Sequence, residues 1–317
     1  MSVTIIFRNN LPPLIHRTQP KKNDQSRGNL DFPLPANPQE RDIHNREQEK
    51  EERIENILSE LDEMIGLKKV KKLIYELQAF VEIQRKREKE NLATEPLVLH
   101  MIFKGNPGSG KTTIARLIGK LFKELGVLKI GQVIECERAD LVGEYVGHTA
   151  QKTRTVVKKA LGGVLFIDEA YSLSRGGERD FGKEAIEVLI KAMEDHKDDF
   201  ILILAGYERE MDCFIKSNPG LRSRFPIQIT FPDYTLEELL AIGELMLSKR
   251  DYRFSPQAKL IFRETLEKML INHQYSGNAR LVRNIIEKTI RKQAVRLYRQ
   301  AELSREELIW ITEQDLI

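Results

Sequence analysis

Residues 105–112 read Gly105-Asn106-Pro107-Gly108-Ser109-Gly110-Lys111-Thr112, a match to GxxxxGK[ST]. An apolar run before it, LVLHMIF at 97–103, predicts a strand. An amphipathic stretch after it, from Lys111 to Leu125, predicts a helix. Between a strand and a helix, glycines let the backbone wrap tightly, and successive N–H groups point inward as donors. The helix N-terminus adds the positive end of its dipole. Such a loop suits the phosphate chain of a nucleotide such as ATP. Lys111 would reach the β- and γ-phosphates, the Thr112 hydroxyl would ligate Mg²⁺, and Thr113 would lie beside the nucleotide. The bland alternative is a glycine turn before an ordinary helix.

Further along, short apolar runs alternate with helical patterns. VIECE (133–137), VLFID (164–168), FILILA (200–205) and IQITF (227–231) predict four more strands. Strands that are apolar throughout and separated by helices predict an α/β fold, a five-stranded parallel sheet between helices. After Pro232 only helical spacing remains, over Thr235–Lys249, Pro256–Asn272 and Asn278–Tyr298. A small all-helical domain is expected there. The third strand ends in Asp168-Glu169, which brings two carboxylates to the carboxyl end of the sheet, where open α/β sheets bind ligands. Asp168 would hold Mg²⁺ through water, and Glu169 would activate the water for hydrolysis.

The 317 residues carry 51 Lys and Arg against 48 Asp and Glu, a net charge of +3. That balance gives no dominant surface for a polyanion, although basic stretches at 68–72 and 291–299 leave nucleic acid open. No apolar run approaches the roughly 18 residues of a membrane span. The first residues have no signal-peptide pattern. Cys136 and Cys213, far apart, are read as two buried, reduced thiols, which fits a cytoplasmic protein. Six of the twelve prolines precede residue 45, and a charge-dense run, ERDIHNREQEKEERIE, covers 40–55. Residues 1–60 are therefore expected to be a largely disordered arm, its charged part a solvated helix or linker. Residues 61–232 are then the α/β domain and 233–317 the helical one.

Together these elements resemble the ATPases associated with diverse cellular activities, the AAA+ family of P-loop NTPases, over about four-fifths of the chain. YVGHTA, LFIDEAYSL, RGGERDFG, LAGYERE and NPGLRSRF are most similar to the branch of sporulation proteins and red-type Rubisco activases, and the proline-rich arm favours the sporulation member. The resemblance implies a helical lid domain and several further roles. The Ile65-Gly66 backbone would meet adenine. Arg224 would act as an arginine finger on the ATP held by a neighbouring copy, which implies a homo-oligomeric ring, a hexamer by the family pattern. Arg280, within Ser276-Gly-Asn-Ala-Arg280, would be the second sensor of the γ-phosphate. Tyr145-Val146-Gly147 would be a pore loop gripping a protein substrate, and 175–182 a second such loop. The family's polar first sensor has no match at Ala205-Gly206-Tyr207; Asn218 is a candidate substitute. The resemblance thus implies an ATP-hydrolysing ring motor that remodels or threads proteins in sporulation. A Rubisco-activase-type remodeller, a nucleotide-switched scaffold and a nucleic-acid-associated ATPase stand as alternatives.

Overall fold

The structure is a computed structural model that describes residues 38–94, 98–145, 147–175, 180–271, 277–298, 300 and 302–316, with side chains from 45 onward. The chain divides into a unit up to Arg46 and a compact unit, Glu47–Ile317. The proline-rich stretch 1–37 lies outside the described residues. The charge-dense run is part of a long helix, α1 (Pro38–Glu63). The expected boundary at 60 is therefore displaced: Ile54 and Leu61 are already buried in the core of the second unit. Ile54, Ile57, Leu58 and Leu61 recur at i, i+3, i+4 and i+7, one helical face, and pack into that core.

A turn with Gly66 and Leu67 both at positive φ leads into α2 (Lys68–Lys89). Then come β1 (Met101–Lys104), α3 (Lys111–Glu124), β2 (Val133–Cys136), α4 (Arg138–Leu141), α5 (His148–Ala160) and β3 (Val164–Ile167). A 3₁₀ turn follows at Ala170–Ser174. Next are α6 (Gly182–Asp195), β4 (Ile201–Gly206), α7 (Glu208–Ser217), α8 (Pro219–Arg222) and β5 (Ile227–Thr230). The sheet is wholly parallel, in the order β2-β3-β4-β1-β5.

The strands alternate faces, as a period of two requires. Met101, Phe103, Val164, Phe166, Ile201, Ile203 and Ile229 join one core with α2 and α3. Ile102, Leu165, Ile167, Leu202 and Leu204 join another with residues of α5, α6 and α7. Both faces are covered, so the strands read as unbroken apolar runs. The first core continues into the C-terminal domain through Leu239, Ile242, Phe262 and Val282.

That domain contains α9 (Leu236–Ser248), β6 (Arg253–Phe254), α10 (Pro256–Ile271), α11 (Asn278–Tyr298), α12 (Arg305–Ile309) and β7 (Trp310–Ile311). It is helical with one addition beyond the sequence expectation. The two-residue strands β6 and β7 pair in parallel and tie the end of the chain to the start of α10. Arg296 reinforces this with two hydrogen bonds, of 2.8 and 2.9 Å, to the buried Asp315. Both cysteines are free. Cys136 is buried, and burial pushes its thiol up to about 12. Cys213 is exposed, contrary to the expectation of two buried thiols. Among the described residues no helix is long and apolar enough to cross a membrane.

Candidate functional site

The carboxyl ends of β1, β3 and β4, the α11 N-terminus and the Met64–Leu67 turn enclose a cleft of about 1020 Å³. In the sheet order β4 lies between β3 and β1, so the loops after Ile167 and Lys104 flank Gly206 and Tyr207.

The glycine loop forms the cleft's floor. Gly108 has φ +72° and Gly110 has φ +99°, the latter directly before α3. Lys111 is buried at 8% exposure, and its Nζ donates to the carbonyls of Gly105 (2.8 Å) and Asn106 (2.9 Å). Desolvation lowers its pKa from the usual lysine value; Asp168 opposes the shift and Arg280 adds to it. Gly105, Pro107, Gly108, Gly110, Thr112 and Thr113 also line the cleft. The side chains of Asn106 and Ser109 are occupied elsewhere. Asn106 Nδ2 donates to both Asp233 oxygens at 3.0 and 2.8 Å, and the buried Ser109 Oγ donates to the Asn106 carbonyl at 2.8 Å.

Asp168 and Glu169 face this floor. The Glu169 backbone N–H donates to Asp168 Oδ1 at 2.9 Å. Glu169 itself has φ 46° and ψ 42° and starts the 3₁₀ turn. A non-glycine residue in that region costs on the order of 1–3 kcal/mol and persists only where its surroundings hold it. Among the described residues no three His, Cys, Asp or Glu side chains gather as a metal site. Thr112 and Asp168 line the same cleft. One hydroxyl and one carboxylate suit Mg²⁺ arriving with a phosphate chain, since that ion keeps several waters and phosphate oxygens as ligands.

Met64, Ile65, Ile242, Leu245 and Met246 make the other end of the cleft apolar. Tyr234 closes beside them, with burial pushing its hydroxyl up to about 12. Gly66 (φ +69°) is packed against Glu238 and Tyr234, and a Cβ there would lie 2.5 Å from the Glu238 carboxylate.

Arg280 lies on the cleft wall at the start of α11, with Arg283 one turn further on. Ser276 lies outside the described residues. Asn278, read from sequence as a helix cap, ties three segments together. Its Oδ1 accepts from Tyr234 N–H (2.9 Å), and its Nδ2 donates to Asp233 (2.7 Å) and the Pro107 carbonyl (3.3 Å). The glycine loop and the C-terminal domain are thereby joined directly.

Three sequence candidates lie away from the cleft lining. Arg224 donates to the Gly220 carbonyl at 2.8 Å and ion-pairs with Glu194. Buried Leu221 and Phe225 anchor its segment. Asn218 donates to Phe214 O, Ser217 Oγ and Ser174 Oγ, so Tyr207, not Asn218, borders the cleft at the end of β4. Tyr145 is 66% exposed and meets His148 edge-on at 5.4 Å. Gly147 follows at φ +81°; Val146 and residues 176–179 lie outside the described residues. Glu144, Lys152 and Arg138 border the cleft as well, and sequence reading missed all three. No motif marks them as cleft residues: Arg138 opens α4, Glu144 precedes α5 and Lys152 lies within it, and only folding brings the three together.

The profile of the "ATPase family associated with various cellular activities (AAA)" matches residues 101–233, and that of the "AAA lid domain" matches 235–317. The chain belongs to the AAA ATPase family. It hydrolyses ATP in a P-loop domain carrying a C-terminal lid. It is 52% identical over 267 residues to stage V sporulation protein K of Bacillus subtilis (strain 168), covering 83% of this chain and 82% of that one. Protein CbbX of Cereibacter sphaeroides is 48% identical over 244 residues, 76% and 79% of the two chains. The chloroplastic ribulose bisphosphate carboxylase/oxygenase activase of Cyanidioschyzon merolae is 44% identical over 272 residues, 84% and 92%. Among solved structures, the Thermotoga maritima RuvB Holliday junction branch migration motor superposes with a TM-score of 0.52 at 22% identity, covering 81% of this chain and 69% of that one. At that identity the likeness is one of fold.

Proposed function

We propose that this AAA ATPase works as a homo-oligomeric ring, a hexamer, that uses ATP hydrolysis in the cytoplasm to remodel or thread a protein substrate. The observation that carries the reading is the division of the chemistry: Lys111, Asp168 and Glu169 share one cleft, while Arg224 is held outside it. Arg224, held away from the cleft of its own copy, in this reading completes the cleft of a neighbour.

In this reading, Lys111 and backbone N–H groups of residues 108–112 hold the phosphates, and Ile65-Gly66 holds the base. Thr112 and Asp168 would hold Mg²⁺, which when bound would neutralise charge on the phosphate oxygens. Glu169 takes the proton of the attacking water. Arg224 of the neighbouring copy offsets charge developing in the transition state, and Arg280 links the γ-phosphate to the lid. Tyr145, Val146 and Gly147 grip the polypeptide. Similarity to a protein named for sporulation supports a role there. Similarity to a Rubisco activase supports the same work on another client.

Capture tests this. Glu169→Gln loaded with ATP should retain client proteins from a lysate of its host, and adding Tyr145→Ala should release them. An unchanged captured set in the double variant would refute the pore-loop reading.

A further inference from the structure

Glu169 is held in a left-handed backbone conformation by something other than its own preference. Its carbonyl accepts from Ser172 N–H at 2.8 Å, which closes the 3₁₀ turn behind it. The Ser172 carbonyl in turn accepts from Arg138 at 2.6 Å. Arg138 opens the short helix α4 at the end of β2, and a reciprocal cap between Glu137 and Asp140 braces that helix. The same guanidinium forks onto Asp180, bonding one carboxylate oxygen at 3.2 Å and forming a short ion pair with the other. The Asp180 side chain is only 8% exposed, and it also accepts from Gly182 N–H at 3.0 Å. The junction has no slack: a Cβ on Gly182 would lie 2.1 Å from the Leu173 carbonyl and 2.9 Å from Arg138.

We propose that Arg138, anchored by Asp180, is a positioning residue for Glu169, acting through the 3₁₀ turn 170–174. The inference rests on the reading of Glu169 as the water-activating carboxylate. Two successive hydrogen bonds run from the guanidinium to the Glu169 carbonyl. The fork is the reason for arginine: a planar guanidinium satisfies a backbone carbonyl and both oxygens of a carboxylate at once. A lysine ammonium keeps the charge but loses the planar fork. A catalytic group displaced by about 1 Å can lose about a hundredfold in rate while binding is untouched.

The test compares the parent with Glu169→Gln, Arg138→Lys and Asp180→Asn. It measures steady-state kcat and KM for ATP, affinity for a fluorescent ATP analogue and the thermal midpoint. Arg138→Lys should lower kcat about tenfold to a hundredfold with analogue affinity within about threefold of the parent. Asp180→Asn, nearly isosteric, should move kcat the same way and keeps the test open if the lysine variant does not fold. A kcat within about threefold of the parent in both variants would overturn the proposal. So would analogue affinity falling in step with kcat, which would make Arg138 a binding residue. If Glu169→Gln itself turns over ATP, the reading of Glu169 fails. If Glu169→Gln is dead while both junction variants are active, only the positioning role fails.

Discussion

Gly108→Ala is a sharp probe of the contact between the glycine loop and the lid. Gly108 has φ +72°, and a Cβ there would lie 2.3 Å from the Gly277 carbonyl and 2.8 Å from Arg280 N, both lid backbone. The first distance is roughly 1 Å short of van der Waals contact, so the lid must retreat or the loop must deform. Gly126→Ala is a matched control with the same φ of +72°, where the atoms nearest the Cβ belong to the guanidinium of Arg85, the far end of a flexible side chain. The left-handed backbone costs each variant about 1–2 kcal/mol. That shared cost should appear in denaturant unfolding of both variants, and the contact with the lid should add to the loss in Gly108→Ala. The lid clash belongs to Gly108→Ala alone. If it takes about 1.4 kcal/mol or more from the nucleotide-bound arrangement, ATP affinity falls at least about tenfold. Calorimetric titration of both variants with a slowly hydrolysed ATP analogue reads the difference. Equal affinities for the two alanine variants would refute the argument that the lid closes directly on this glycine.

Two further outcomes follow from buried polar groups. His100 is buried beneath Phe200 and Phe225, its Nδ1 accepts from Leu202 N–H at 3.0 Å, and burial lowers its pKa from 6.5 to about 4. The folded state therefore prefers the neutral ring. The contribution is whole above pH 6.5 and is lost as pH falls toward 4, by up to about 3 kcal/mol, which urea unfolding across that range measures against His100→Gln. Asn278→Ala leaves Tyr234 N–H and the Pro107 carbonyl without this partner, at a cost of about 2–3 kcal/mol in unfolding and with weakened ATP binding. Loss of neither would mean that the clasp carries no strain between loop and lid.

The sheet was legible because burial on both faces makes its strands apolar throughout, so runs such as Ile201–Ala205 stand out without any alternation. The glycine loop and Asp168-Glu169 were legible because phosphate and water chemistry restricts residue types at fixed spacing. The missed parts depend on contacts distant in sequence. Arg138 and Asp180 meet across 42 positions, and Asn278 meets Pro107 across 171. Strands of two residues, as in β6 and β7, have no period to detect. The charged run over 40–55 reads as a solvated helix or linker, and its docking was hidden because its core contacts are sparse, Ile54 chief among them. Asn218 missed the cleft because its amide caps α7 and reaches Ser174 instead.

The central claim, a catalytic site shared between copies, is tested most directly by mixing two inactive variants. Lys111→Ala lacks the phosphate-binding lysine, and Arg224→Ala lacks the arginine offered to its neighbour; each alone should turn over little ATP. In a 1:1 mixture, an Arg224→Ala copy followed by a Lys111→Ala copy rebuilds one complete site. Random assembly should then restore about a quarter of parental turnover. A mixture as inactive as its components, or an Arg224→Ala protein with parental turnover on its own, would contradict the shared site.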